Sequence, residues 1–438
     1  MGKKSRRDIE QEKKTGKKGK DPFSFLSLQF NDISKETAQR HILILIFAVV
    51  AAKFLIMFVT TAVFHSFIDY FDFSVYLKHA MLLVQGQTPF DGEFIYPVLS
   101  IVPVMIAAAP ALIAQNAMAF VFTFQILMVL CDIVTVLCVY LISLKLWNEK
   151  TAFYSGLVYA AAFSVAYFVI CRYDAFPTSL LMLAIVCTLY RKEMMGYALS
   201  ITGVFTKVFP ILALPFFVLF NAKETSIKQE VLAAAKVVIP ISAVLFLPLY
   251  LIQPETLNFL IPIRSENGYY TNTITFTMYS WIHDVIGLNI SIGAVSAVMY
   301  TILGLGMLAL LYAAYKIPGQ NPKLLLQLLL CALILAVVCA RVRSPQYIVW
   351  FTPLICILVM DDLKKIISLF VFQAFAYIEF PLMFGAFYTN NSYTDPLLST
   401  GWFITLIVFT LEYLALFVCI WLVVDPPKIY QKIRAAGN

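Results

Sequence analysis

Two aspartates one helical turn apart, Asp69 and Asp72, follow the first long apolar run of this chain in the stretch HSFIDYFDFSVYLKHAMLLVQGQTPFDGEFIYP. Carboxylates at this spacing suit a general base or a divalent metal, and at a membrane surface they would meet a headgroup presented from the lipid. Cations recur at other breaks between apolar runs: Arg172 beside Asp174 in CRYDAF, Lys207 in FTKVFP, Arg264 with Glu266, and Arg341 with Arg343 in ARVRSPQY. Cations of this kind suit a phosphate. Taken singly, each has a plainer reading. Asp72 alone fits an N-cap carboxylate better than a catalytic group. A lone cation at a span end is usually a snorkelling side chain. Four cationic sets on one side of a chain that is only 13% charged are harder to explain in that way.

Lys53, Asp132, Glu379 and Glu412 fall inside apolar runs, where a charge is costly and a functional suspect by default. Pairing of Lys53 with Asp132 or Glu412 to fix helix packing explains them best. A secondary transporter that uses these four charges along a path is the alternative function. His65, His79 and His283 lack metal-ligand spacing, although His79 lies two turns from Asp72 on the same helical face and could assist it.

The elements that must position these groups are membrane helices. The chain has 438 residues, 61% hydrophobic and 15% aromatic, with a mean hydropathy of +0.84. A soluble domain of this size could not hide so much apolar surface. The net charge of +7 comes largely from the first twenty residues, read as a solvated basic tail that touches membrane lipid. Nucleic-acid binding is excluded, since no folded basic domain accompanies the tail. The 8 cysteines form no CxxC pair and read as small buried hydrophobes.

Apolar runs predict an all-α polytopic protein with about twelve helices: Ile42–Phe64, Ala117–Leu144, Thr151–Ile170, Ala175–Tyr190, Gly196–Thr206, Val208–Phe220, Val231–Ile252, Ser291–Tyr315, Leu324–Ala340, Gln346–Met360, Lys365–Phe387 and Gly401–Val424. The two around Lys207 are too short to span and predict a half-length hairpin with Lys207 at its tip. Pro97, Pro103 and Pro110 break up Tyr96–Gln115, which is expected as an interrupted helix in the outer interface. Every short lysine-bearing loop then falls inside, with both termini. The expected organisation is a basic tail over 1–41, a membrane domain over 42–424 with outer loops 65–116, 253–290 and 388–400, and an inner tail over 425–438. The period of Phe73, Tyr76, Leu77, Ala80, Met81 and Val84 predicts an interfacial amphipathic helix that opens at Asp72 and is ended by Gly86.

Six elements in this order resemble the GT-C superfamily of membrane glycosyltransferases. The likeness is greatest to the first mannosyltransferase of the GPI anchor and to bacterial polyprenyl-phosphomannose-dependent enzymes. Asp72-Phe73-Ser74-Val75-Tyr76 matches the second Asp of that family's acidic loop and the four residues after it; the first Asp falls on Tyr70, with Asp69 one place away. Gly86-Gln87-Thr88-Pro89-Phe90, Phe94-Ile95-Tyr96-Pro97-Val98-Leu99 and Cys131-Asp132-Ile133-Val134-Thr135 echo three further elements. Thr206-Lys207-Val208-Phe209-Pro210 and Ser344-Pro345-Gln346-Tyr347-Ile348-Val349-Trp350 echo two more. The resemblance implies an inverting transferase that moves a sugar, mannose by analogy, from a polyprenyl-phosphate donor to a lipid-linked or glycan acceptor on the outer or luminal face. The membrane would be the plasma membrane of a prokaryote or the endoplasmic reticulum of a eukaryote. Asp72 would be the base, with Asp69 beside it. Lys207, Arg343, Arg341, Arg172 and Arg264 would face the donor phosphate. Tyr76, His79, Tyr96, Asp174, Gln346 and Tyr347 would contact substrate. The resemblance fixes no cofactor, a divalent metal is compatible with it, and metal dependence and the oligomeric state are left open.

Overall fold

A computed structural model describes residues 33–60, 69–87, 96–254, 271–383 and 400–436. The chain divides into two units at residue 44/45. In the first, the described residues open a helix, α1 (Lys35–Phe58), at Ser34, whose hydroxyl accepts a hydrogen bond from the Thr37 amide at 3.1 Å. The rest belongs to the second unit. In order it holds α2 (Phe71–Val84), α3 (Ile101–Ala114), α4 (Ala117–Leu146), α5 (Glu149–Ala160), α6 (Phe163–Cys171), α7 (Ala175–Leu189), α8 (Glu193–Val204) and α9 (Ala213–Asn221). Beyond them lie α10 (Ile227–Ile252), α11 (Ile274–Tyr279), α12 (Ile292–Lys316), α13 (Pro322–Val338), α14 (Ile348–Leu358), α15 (Leu363–Tyr377), α16 (Thr400–Val424) and α17 (Pro426–Ala435).

Among the described residues all regular structure is helical. Among the described residues six helical stretches are long and apolar enough to cross a membrane: α1, α4, α10, α12, α15 with the π-turn that extends it, and α16 taken together with α17. A seventh arises if α5 and α6, bent by 59° at residues 161–162, count as one span. The shorter α7, α13 and α14 are buried along most of their length. They sit inside the bundle, while α10 and α12 turn bulky apolar side chains such as Leu247, Leu251, Leu305 and Leu308 outward. That layering suits a protein whose outer solvent is hydrocarbon. Close packing is visible at Gly156, where a Cβ would come within 2.6 Å of the Leu45 side chain.

Several expected elements change. Tyr96–Gln115 is not interrupted: a 3₁₀ turn (Val98–Ser100) leads into a continuous α3. Pro103 falls in the first turn of α3, where its missing N–H leaves no bond unmade, and Pro110 is carried inside the helix. Nor does α3 have the polar face of an interfacial helix. Val104, Ala107, Ala108 and Ala111 are buried, while Val102, Ile106 and Ile113 point out. The stretch Val98–Ala114 is about 25 Å long at 1.5 Å per residue, shorter than the roughly 30 Å of a hydrocarbon core. It turns back along α4 through Gln115, whose backbone is left-handed, and Asn116, whose side chain caps α4 at the Met118 amide.

The predicted helix Thr151–Ile170 divides into α5 and α6. Gln373 of α15 stabilises the break, accepting from the Ser164 amide at 3.2 Å through its side chain and from the Ser164 hydroxyl at 2.8 Å through its carbonyl. The predicted loop 253–290 contains α11 and a π-turn (Ser280–Val285), with Asn272, Thr273 and Ser280 buried. Residues 425–438, expected as a tail, form α17 over most of their length. The hairpin at Lys207 is present: α8 ends at Val204, and Lys207 precedes the 3₁₀ turn Phe209–Leu212 that leads into α9. The predicted loop 388–400 lies outside the described residues apart from its last residue.

Candidate functional site

Arg172 leaves the end of α6 and is the hub of the site. Its Nε lies 3.0 Å from Asp72 Oδ2, and its Nη2 pairs with Asp69. Asp69 also takes the capping role expected of Asp72: its Oδ1 accepts from the Phe71 amide at 2.9 Å. Helix α2 therefore opens at Tyr70, and Asp72 stands within its first turn with no capping bond. The Tyr76 hydroxyl, one turn on, donates to Asp72 Oδ2 at 3.3 Å. The Asp72 side chain retains 15% of its exposure. Burial nevertheless raises its pKa above the usual carboxylate value, against the opposing pull of Arg172, and Asp69 raises it further.

Asp174, two residues from Arg172, opens α7 and is fully buried. Its Oδ1 accepts from Lys207 Nζ and from Trp350 Nε1, both at 2.6 Å. Among the described residues nothing donates to its Oδ2. The Lys207 ammonium also lies over three rings, 4.9 Å from Tyr173, 5.2 Å from Tyr347 and 5.1 Å from Trp350, at distances that favour a cation held by π-faces. Tyr76, Tyr96 and Tyr173 meet edge to face, with centroids 5.0–5.9 Å apart, and join the Asp72 half to the Lys207 half. Tyr96 and Lys207 are brought together because the Leu99 amide donates to the Phe205 carbonyl at 2.7 Å. Residues from 69 to 350 thus converge, with three carboxylates against two cations.

The remaining predicted residues go elsewhere. Arg343, expected beside a phosphate, is enclosed: its Nη2 is 3.3 Å from Glu379 and pairs with Glu412, and its Nη1 donates to the Asn272 carbonyl at 3.2 Å. The Tyr413 ring covers it at 4.9 Å. Arg341 stands two residues away and is partly buried, and Gln346 is buried in the 3₁₀ turn Pro345–Tyr347. His79 is fully buried and its Nδ1 donates to the Val75 carbonyl at 2.6 Å, so this face of the ring serves its own helix and not Asp72. Arg264 and Glu266 lie outside the described residues. Lys53 pairs with Asp132 at 2.7 Å, as the packing reading expects, and Tyr159 donates to the same carboxylate. Among the described residues no group of three or more His, Cys, Asp or Glu side chains is arranged to hold a metal.

Sequence reasoning missed Tyr173, Trp350 and Phe380 as neighbours of the site. Tyr173 stands between two candidate residues, and Trp350 comes one helical turn after Tyr347, so both carried a local signal. Phe380 carried none; its ring lies 5.9 Å from the Arg172 guanidinium across the fold.

No protein-family model matches the chain, and no curated protein matches it.

Proposed function

We propose that this protein is an inverting glycosyltransferase that moves a sugar from a polyprenyl-phosphate donor to a lipid-linked or membrane-associated acceptor. The resemblance implies mannose. One observation carries the reading: Asp69, Asp72, Arg172, Asp174 and Lys207, far apart in sequence, share one cluster walled by tyrosines. Of these, Asp72 and Lys207 keep the most side-chain exposure, 15% and 12%, so a base and a cation are the members open to substrate.

In this mechanism Asp72 takes the proton from an acceptor hydroxyl as its oxygen attacks the anomeric carbon. The bond from that carbon to the phosphate oxygen breaks with its electrons on the phosphate, and polyprenyl phosphate leaves. Lys207 meets the charge gained by the leaving group, while Arg172, held by Asp69 and Asp72, positions the base. The proton that Asp72 gains removes one negative charge from a cluster with an excess carboxylate, offsetting the charge that the phosphate acquires. Asp174, fully buried beneath Lys207, holds the ammonium in place for the phosphate. An apolar groove of about 320 Å³ between α3, α4 and α7 supports a lipid-borne donor. Val102, Ile106, Leu130 and Val134 line it, and Phe176 in its wall is two residues from Asp174. A GT-C-like count of about twelve spans would require the short buried helices to cross in concert with their neighbours. The transporter reading loses support, since Lys53 and Asp132 are closed on each other at 2.7 Å with almost no exposure.

Turnover of a panel of polyprenyl-phosphate sugars in proteoliposomes tests the proposal. Transfer should occur with one sugar and be lost in Asp72→Asn. Absence of transfer across the panel, or a fully active Asp72→Asn protein, would reject it.

A further inference from the structure

Helix α17 starts where α16 ends. Asp425 between them has left-handed backbone, φ 53°, which α-helix does not tolerate, so α17 continues as a separate element. At 100° per residue Ile429, Tyr430 and Ile433 share one side of it, while Gln431, Lys432 and Arg434 fall outside that arc. No residue of α17 is buried, and Tyr430 is 67% exposed.

Ile429 and Ile433 are half-buried, and two observations bear on what the exposed remainder of this helix meets. First, exposed aromatic side chains gather at this end of the bundle: Tyr312 and Tyr315 in the last turns of α12, and Trp421 in the last turn of α16. The two ends are level, because Gln327 near the start of α13 donates to the Val423 and Val424 carbonyls at 3.2 and 2.9 Å, and α13 comes after α12 by a short turn. Exposed Tyr and Trp at span ends mark the headgroup layer. Second, the segments that frame α17, residues 316–323, 361–365 and 425–434, carry seven lysines and arginines against three aspartates. The aspartates are already engaged. Asp361 pairs with Lys323 and Lys365, Asp425 pairs with Lys428, and Asp362 caps α15 at the Lys364 amide. Lys432 and Arg434 have no ion pair among the described residues.

We propose that α17 lies in the headgroup layer at the end of α16 and binds acidic phospholipid through Lys432 and Arg434, with the Tyr430 ring at the acyl boundary. The helix is a lipid-sensing anchor on the membrane domain, and it stands independently of the glycosyl-transfer reading.

Spin labels on the full-length protein test this, placed singly by Tyr430→Cys and Gln431→Cys. The background replaces the half-buried Cys131 and Cys331 by serine and keeps the other, buried cysteines. In phosphatidylcholine vesicles containing phosphatidylglycerol, the label at 430 should collide with oxygen in preference to a water-soluble nickel chelate, and the label at 431 should do the reverse. The contrast should weaken in phosphatidylcholine alone, and again near 1 M salt, where the screening length falls to about 3 Å. Neutralising Lys432 or Arg434 with Gln should shift the balance from seated to detached helix about fivefold for each charge. Equal exposure of positions 430 and 431 to the nickel chelate in acidic vesicles would overturn the placement. A contrast as large in neutral vesicles as in acidic ones would overturn the recognition of acidic headgroups.

Discussion

The cluster around Arg172 and the cluster around Arg343 use the same chemistry, one guanidinium with two carboxylates; the two arginines are equally covered, at 7% and 8% exposure, and the clusters differ in how far their carboxylates can be reached. Asp72 keeps 15% of its side-chain exposure, while Glu379 and Glu412 keep 1% each. Two short segments join the clusters. Glu379 holds Arg343 and its neighbour Phe380 faces Arg172, because Phe380 leaves helical geometry at the kink after α15. Arg343 belongs to the closed cluster, while Tyr347, four residues later, lies against Lys207. An arginine near a candidate site is therefore no evidence for phosphate binding until its carboxylates are located.

The largest expected effect separates the two clusters. Asp72→Asn should lower transfer by about 10²–10⁴, the usual range for general-base catalysis, with thermal stability little changed. Arg343→Ala should do the opposite. Removing one member of a buried ion pair costs about 3–5 kcal/mol of stability, and the fraction that still folds should keep its donor KM. Thermal denaturation and kinetics on both variants check this. A well-folded Arg343→Ala protein with weakened donor binding would return Arg343 to the phosphate site and end the contrast.

A smaller effect is expected at Lys207. Lys207→Gln should weaken donor binding roughly tenfold to a hundredfold by removing a charge-assisted contact worth about 1.5–3 kcal/mol, and should leave acceptor binding nearly unchanged. Equal weakening of both substrates would mean that Lys207 serves only to hold Asp174.

The smallest effect is a shift in pH dependence. Asp72 must be ionised to accept a proton, and burial raises its pKa, so transfer should fall with acid at a pH above the ordinary carboxylate range. Arg172 opposes that rise, so Arg172→Gln should move the acid limb further upward. An acid limb at or below the ordinary range in the wild-type protein would remove Asp72 from the base role.

Much of the local structure was legible because it depends on neighbours in sequence. Helix α2, its end at Gly86 with φ 74°, and the broken hairpin at Lys207 result from apolar period, backbone freedom and segment length. The continuity of α3 was not legible. Proline placement alone pointed to a break, but Pro103 falls in the first turn, and Pro110 is carried inside the helix on its exposed side. The division between α5 and α6 depends on Gln373, about 210 residues away.

Composition and apolar runs by themselves determined that this chain is helical and belongs in a membrane, since hydrocarbon admits few other solutions. They also singled out Asp69, Asp72, Arg172, Asp174 and Lys207, since a charge at the edge of an apolar run stands out against its surroundings. Which cation meets which carboxylate was decided only by the tertiary structure. Arg172 and Arg343 look alike in sequence, each at the end of an apolar helix. Glu379 and Glu412 arrive beside one, and Asp69 and Asp72 beside the other, through the packing of helices distant in the chain. Ion pairing acts over a few ångströms of space, and sequence separation does not report that distance.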